Sequence, residues 1–193
     1  MNTFANNSPR RYLHFFQHDE NLLHYLDLDE GTDFQAIPLN TNIKVTDFHK
    51  SISVSTGDLY LVGGAESEDN LQKSPNIMRF DFDTRGLTLM NKLRFGRSSH
   101  SVCFNNRYVY VLGGYLDGQN LTNRCERYDI VSNKVEEIRP MNYAACSFAC
   151  CSFGGRYIYK FGGVGENNDI IHYIVLVFQL RNATTRRQDF GSR

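Results

Sequence analysis

The sequence predicts an all-β protein assembled from a repeated unit of four short strands. The main observation is an apolar run that ends in a double glycine and occurs three times, as DLYLVGG, RYVYVLGG and RYIYKFGG. The first glycines of the three pairs are Gly63, Gly113 and Gly162, which are 50 and 49 residues apart. Each run also has a tyrosine three residues before its first glycine. Three copies at a near-constant spacing indicate one structural unit per repeat.

The double glycines predict where the chain turns at the end of a strand. Glycine weakens a strand interior, so a pair at the end of an apolar run marks a turn or a close backbone approach that a Cβ would block. Each run is followed by a polar loop and then by further short runs that are separated by turn residues, such as Asn105-Asn106. A period near 50 with four strands per unit is typical of one blade of a β-propeller.

Four units follow one another along the chain. The middle two have four strands each, whereas the first lacks its opening strand and begins with RYLHFF, a copy of the double-glycine run without the glycines. The fourth loses the pattern after Gly163, where Ile171-His172-Tyr173 stands in the place of its third strand and 175–178 in the place of the next turn. We predict a disordered lead-in at 1–10, one domain at 11–180 with units at about 11–39, 48–93, 98–141 and 145–180, and a basic disordered tail at 181–193.

The best preserved unit resembles the kelch repeat. Its double-glycine strand ends at Gly114, and a polar loop and then Arg127-Tyr128-Asp129 follow. The resemblance covers about residues 11–173 and implies a kelch-type β-propeller, or an open arc of about 3.5–4 four-stranded antiparallel blades. It also implies a protein–protein interaction module without catalytic activity.

One kelch feature is kept in a single unit only. The strand-opening pattern Arg-x2-His occurs as Arg97-Ser98-Ser99-His100, and the second unit keeps only its histidine, His49. At or near these places the fourth unit has Cys146 and Ala149. An Arg-x2-His pair that braces neighbouring blades is the alternative to a binding role for Arg97 and His100.

The number of strands limits the ring that this sequence could close. Propellers contain about four to eight blades. The resemblance to the kelch family implies a number in the upper part of this range, whereas this sequence could close at most a four-bladed ring. We therefore expect a fragment, a truncated member, or an arc that another chain completes. Self-association through open propeller edges is a further expectation, because unpaired strand edges can pair with other chains.

The candidate binding surface follows from the direction of the strands. Neighbouring strands in a blade are antiparallel, so the residues after each double glycine share one end of the blade with the residues before the first strand. Arginine and tyrosine are enriched at the energetic centres of protein interfaces. The candidate partner-binding residues are Glu66, Arg94, Arg97, Tyr115, Asp117, Tyr143 and Glu166; an ordinary solvated loop is the alternative for each.

Composition excludes several other classes of function. Lys plus Arg and Asp plus Glu are both 21, so the chain lacks the basic excess of a protein that binds nucleic acid. Its longest strongly apolar segment, 170–178, is far shorter than the roughly 20 residues of a membrane-spanning helix, and the N-terminus does not resemble a secretory signal. We therefore predict a cytoplasmic protein that binds an unidentified protein partner, not nucleic acid or a membrane.

The cysteines predict neither a cofactor nor a metal. There are five, and Cys146, Cys150 and Cys151 lie close together without the paired Cys-x2-Cys or His-x3-His spacing of a zinc site. An odd number without a secretory signal favours buried, reduced thiols. We predict no catalytic, cofactor-binding or metal-binding residues.

Two alternatives to a binding module stay open. Some kelch-like propellers resemble copper radical oxidases or sugar-isomerising enzymes, for which the nominal groups here are Tyr115, Tyr143, His49, His100 and Cys146. The other alternative is a divergent or incomplete gene product without an independent function, in which the uncharged run 170–178 promotes aggregation.

Overall fold

The computed structural model describes residues 12–17, 20–40, 45–65, 72–172 and 174–179. The predicted lead-in and tail lie outside these residues. Within them the protein is all-β, as predicted, and its strands form antiparallel sheets that follow one another along the chain. Four of these sheets correspond to the four predicted units, and we call them blades 1 to 4.

Blades 1 and 2 contain three and four strands. Blade 1 consists of β1 (Tyr12–Gln17), β2 (Leu22–Asp27) and β3 (Gln35–Pro38). Blade 2 consists of β4 (Lys50–Ser53), β5 (Leu59–Val62), β6 (Asn76–Asp81) and β7 (Gly86–Lys92). In both blades, consecutive strands pair in antiparallel fashion, which is the meander of a propeller blade.

Blade 3 is the most complete repeat. It pairs β8 (Ser101–Asn105), β9 (Tyr108–Leu112), β12 (Cys125–Asp129) and β13 (Lys134–Ile138) in the order β8-β9-β12-β13. The loop after its double glycine carries a small hairpin of β10 (Tyr115–Leu116) and β11 (Asn120–Leu121), joined by a 3-10 turn.

Blade 4 corrects the prediction for the third strand of the last unit. It contains β14 (Ala149–Phe153), β15 (Tyr157–Phe161) and β16 (Ile174–Gln179), so the third strand begins directly after 171–173 and not within that run. Residues 170–171 instead complete the loop: Ile170 bridges Val164, and the Ile171 amide donates to the Gly163 carbonyl at 2.8 Å. The run 175–178, which stands in the place of the next turn of the repeat, is strand.

Apolar clusters between neighbouring blades form the core. Strand alternation directs one set of side chains to the preceding blade and the other to the following blade. Val109 and Val111 face blade 2, whereas Tyr110 and Leu112 face blade 4, and all four are almost fully buried. Blade 1 packs on blade 2 through a third cluster that contains Leu23.

The outer faces of the end blades carry exposed apolar side chains. In blade 1 the positions of Val109 and Val111 are taken by Leu13 and Phe15, which are 54% and 51% exposed. In blade 4 the place of Leu112 is taken by Phe161, which is 38% exposed. The described residues thus form an arc of blades whose two end faces are uncovered, consistent with the predicted kelch-type propeller or open arc.

Candidate partner-binding surface

The double glycines place each following loop beside the start of the first strand of the same blade. Gly113 and Gly114 have φ values of +60° and +93°, and a Cβ on Gly113 would collide with the Ala145 carbonyl oxygen. The chain then forms a backbone bridge in which Tyr115 and Ser98 exchange amide–carbonyl hydrogen bonds of 2.9 and 3.0 Å. Equivalent bridges in blades 2 and 4 join Ala65 to Asp47 and Val164 to Cys146.

Further hydrogen bonds connect the loops of one blade to those of the next. The Gly64 amide donates to the Arg97 carbonyl at 2.8 Å, and the Gly114 amide donates to the Ala145 carbonyl at 2.9 Å. The Lys73 amide in blade 2 donates to Asp117 Oδ1 in blade 3 at 2.6 Å. These loops therefore form one continuous surface, which we call the glycine rim: residues 63–65, 72–75, 93–100, 113–124, 139–148 and 162–172.

The side chain of Arg97 is directed from the rim into the protein and has no exposed surface. Its guanidinium forms an ion pair with the buried Glu126 carboxylate and donates to the carbonyl oxygens of Gly113 and Arg124 at 3.1 and 3.0 Å. Burial lowers the pKa of Arg97, and the Glu126 charge opposes this effect. These contacts favour the bracing alternative for Arg97, because a partner at the rim would not reach its guanidinium.

His100 is also fully buried, between the double glycines of two blades. A Cβ on Gly63 of blade 2 would lie 2.6 Å from His100 Cε1, and a Cβ on Gly114 would lie 2.8 Å from the His100 Cβ. Burial, followed by the positive charges of Arg97 and Lys50, lowers the pKa of His100 well below its ordinary value. The imidazole is therefore neutral and packs as part of the joint between blades 2 and 3.

The structure also corrects the alignment of the fourth unit. Because Cys146 bridges Val164 as Ser98 bridges Tyr115, the fourth-unit equivalents of Arg97 and His100 are Ala145 and Phe148. The sequence comparison placed Cys146 and Ala149 at or near these positions, which is one residue after the equivalents that the structure gives. Without the arginine and histidine, only the spacing from the double glycine defines the register, and that spacing differs by one residue between the repeats.

The other predicted residues differ in how far they are exposed. Arg94, Asp117 and Glu166 are exposed on the rim, and Tyr115 and Tyr143 are half-buried in it. Asp117 and Glu166 stand at equivalent places, since each begins a short 3-10 turn after a double glycine. Glu66 lies outside the described residues.

Sequence reasoning missed a small charged and aromatic network beside Arg94. The guanidinium of Arg94, whose side chain is 67% exposed, lies 3.3 Å from Glu137 Oε2, and that of Arg124 lies 2.8 Å from Glu137 Oε1. Arg124 also lies over the Phe95 ring, 4.6 Å from its centroid. Residues 137 and 124 pack beside 94–95 because β13 ends, and β12 begins, at the rim. Strand direction alone could have indicated this.

The nominal metal-binding side chains do not form a centre in the part of the chain that the structure covers. No three His, Cys, Asp or Glu side chains in that part are grouped so that they could hold a metal ion. No helix in the same part is long and apolar enough to cross a membrane.

Repeated four-stranded antiparallel blades joined at a double-glycine rim define a propeller-type repeat protein. Residues 96–142, which include all four strands of blade 3, match the Kelch motif family model. The chain therefore contains a kelch motif. It has similar relatives in a RING finger domain and kelch repeat-containing protein of Dictyostelium discoideum (29% identity, 62% of this chain), Kelch repeat protein M-T9 of Myxoma virus strain Lausanne (33%, 46%) and alpha-scruin of Limulus polyphemus (24%, 70%). The chain spans only 12%, 17% and 14% of the length of these three relatives, respectively.

Proposed function

We propose that the chain is a non-catalytic module that binds a protein partner through the glycine rim. Kelch-repeat proteins generally mediate protein interactions, and the family assignment supports this class of function. The observation that carries the proposal is the grouping of exposed Arg94, Asp117 and Glu166 with half-buried Tyr115 and Tyr143 at one end of the blades.

The rim has the mechanical properties of a binding surface. Its loops are held by backbone hydrogen bonds between blades, so the exposed side chains stand on a framework that is already ordered before binding. A preorganised surface loses less conformational entropy when a partner binds. Half-buried tyrosines offer apolar area with a polar tip, which suits the centre of an interface.

The charges on the rim indicate the chemistry of the partner. Arg94 and Arg124 share Glu137, which leaves a net positive area beside blade 3, whereas Asp117 and Glu166 lie on the loops after the double glycines. A partner with acidic side chains opposite the arginines and basic ones opposite Asp117 and Glu166 would be complementary. Such complementarity chiefly raises the association rate and selects the partner.

Site-specific photo-crosslinking tests this proposal. A photo-crosslinking amino acid is placed on the rim at Arg94 or Glu166, and on the opposite ends of the blades at Asp83 or Arg156, which are also exposed. We expect one protein to be captured from the rim positions in preference to the opposite ones. Capture that is as frequent from Asp83 and Arg156 would contradict a binding site on the rim.

The captured protein is then purified and titrated by calorimetry. Arg94→Ala and Glu166→Ala should each weaken binding about tenfold, which corresponds to about 1.4 kcal/mol. The matched controls Arg156→Ala and Asp83→Ala remove the same charges from the opposite end and should leave affinity unchanged. Equal losses in rim variants and controls would show that the partner binds elsewhere.

A further inference from the structure

Two cysteines face each other where blade 4 packs on blade 3. Cys103 lies on β8 and Cys150 on β14, which are the first strands of their blades and run side by side. The Ser101 hydroxyl donates to the Phe148 carbonyl, and the Ser152 hydroxyl donates to the Phe104 carbonyl at 2.7 Å. Cys103 and Cys150 each lie between these two cross-links, so they stand level with one another.

Strand alternation turns both thiols into the same interface. Cys103 is 3% exposed and belongs to the apolar cluster between blades 3 and 4, and Cys150 packs against that cluster from β14. The adjacent Cys151 points to the opposite face of blade 4 and is exposed. Cys125 is buried in the same cluster, on β12, which β9 separates from β8.

The closeness of Cys150 also affects the pKa of Cys103. A hydrogen bond with Cys150 is the largest cause that raises the pKa of Cys103, and burial raises it further. Both thiols are free in this structure, so both are available to form a disulfide with each other.

We propose that Cys103 and Cys150 are a redox modification site, at which a low-molecular-weight disulfide such as oxidised glutathione converts the two thiols into an inter-blade disulfide. Cys150 is the half-buried member of the pair and meets the oxidant first. Its thiolate attacks one sulfur of oxidised glutathione, which forms a mixed disulfide and releases one glutathione thiolate. The Cys103 thiolate then attacks the Cys150 sulfur and displaces the second glutathione. Two protein thiols are oxidised, and one glutathione disulfide is reduced to two glutathiones.

The link would covalently join two blades that otherwise hold together by packing and hydrogen bonds. It would close a loop that contains β9 to β13 and the central part of the glycine rim. A cross-link of this kind restricts the unfolded chain and so raises stability. The oxidised protein should therefore unfold at a higher urea concentration than the reduced one.

Peptide mapping of the native protein after incubation with oxidised glutathione tests the proposal. We expect the number of free thiols to fall by two and a Cys103–Cys150 linked peptide to appear, with an increased urea midpoint that dithiothreitol reverses. Cys103→Ser should stop the reaction at the mixed disulfide on Cys150, and Cys150→Ser should abolish the linked peptide.

Two matched variants separate this site from general thiol reactivity. Cys151→Ser and Cys125→Ser remove the neighbouring cysteines and should leave the linked peptide unchanged. Each of four outcomes would overturn the proposal: a Cys125–Cys150 link, glutathione on Cys151 alone, links between chains, or a thiol count that stays at five. The same oxidation in urea provides the unfolded reference, in which a Cys103–Cys150 preference would show that the fold is not what pairs them.

The pH dependence of the reaction offers a second readout. After the hydrogen bond with Cys150 is lost in the mixed disulfide, burial still raises the pKa of Cys103, so little of its thiolate is present at neutral pH. We expect the second step, from mixed disulfide to intramolecular disulfide, to accelerate as the pH rises from 7 to 9. A rate that is constant over this range would contradict attack by a buried Cys103.

Discussion

Replacing Glu126 by Gln should strongly destabilise the protein, because it leaves the buried Arg97 charge without a counter-charge. Both side chains have no exposed surface, and the carboxylate also accepts a hydrogen bond from the Arg94 amide at 2.6 Å. Removing one member of a buried ion pair costs about 3–5 kcal/mol, since the other charge remains desolvated. Glutamine keeps the size and one acceptor oxygen, so most of the loss would come from the missing charge.

A double-mutant cycle isolates this charge term from packing. Arg97→Met should also be destabilising, because it leaves the Glu126 carboxylate buried with one backbone donor. The double variant Arg97→Met/Glu126→Gln removes both charges and should be more stable than the sum of the single losses predicts, by about 1–3 kcal/mol. Urea unfolding of all four proteins is followed by circular dichroism, because the chain contains no tryptophan whose fluorescence could report unfolding.

The exposed pair of Arg127 and Glu136 provides the control. Their side chains are 32% and 54% exposed, and Arg127 Nη2 on β12 lies 2.7 Å from Glu136 Oε2 on the neighbouring strand β13. Glu136→Gln should change stability by only about 0.2–1 kcal/mol. The reasoning would be refuted if Glu126→Gln cost no more than Glu136→Gln, or if the two losses in the cycle were additive.

Three further predictions concern other contacts of the blades. Gly113→Ala should lower the urea midpoint more than Gly154→Ala, since both have φ near +60° but only a Cβ at 113 meets backbone atoms, whereas nothing lies within 4 Å at 154; equal losses would exclude a role for the close approach. Hydrogen bonding by Arg107, followed by that of Ser132, lowers the pKa of Asp129. The contribution of Asp129 to stability is therefore present above its unfolded pKa of about 3.9 and is lost as the pH falls below that value. Asp129→Asn should flatten the stability–pH curve in that acid range, and an unchanged curve would contradict this. Lys160→Met should raise stability, because Lys160 Nζ is buried without a hydrogen-bond acceptor among the described residues and burial lowers its pKa. The gain in stability should shrink as the pH rises towards the unfolded lysine pKa of about 10.4. A gain that is independent of pH would point to packing alone.

The repeat predicted most of the fold because each strand pairs mainly with the next strand along the chain. Runs such as 101–105 and 108–112 carry their own alternation, and the turn residues between them fix the hairpin register. The last strand was missed for the opposite reason. Ile170 and Ile171 are apolar, like strand residues, but they are used to close the loop after Gly163, and only the three-dimensional contacts show this.

The rim was predicted in its position but not in its composition. Antiparallel geometry was enough to bring Tyr115 beside Ser98. It could not indicate that the Arg97 side chain is buried. The carboxylate that pairs with it belongs to Glu126, which lies 29 residues later in the chain on β12. Burial of a charged side chain depends on such distant partners, and composition does not reveal them.

The contrast between blades 3 and 4 shows how the fourth repeat holds its place without the Arg-x2-His pair. In blade 3 a buried cation, Arg97, is neutralised by a carboxylate on the same blade. In blade 4 the equivalent of Arg97 is Ala145, and a buried cation enters instead from β15, where Lys160 Nζ lies 4.8 Å from the Tyr143 ring centroid and 5.0 Å from that of Phe148. Aromatic faces attract a cation less strongly than a carboxylate does. Among the described residues, blade 4 is therefore held to blade 3 by apolar packing and hydrogen bonds and without a buried ion pair, and Cys103 and Cys150 lie in that interface.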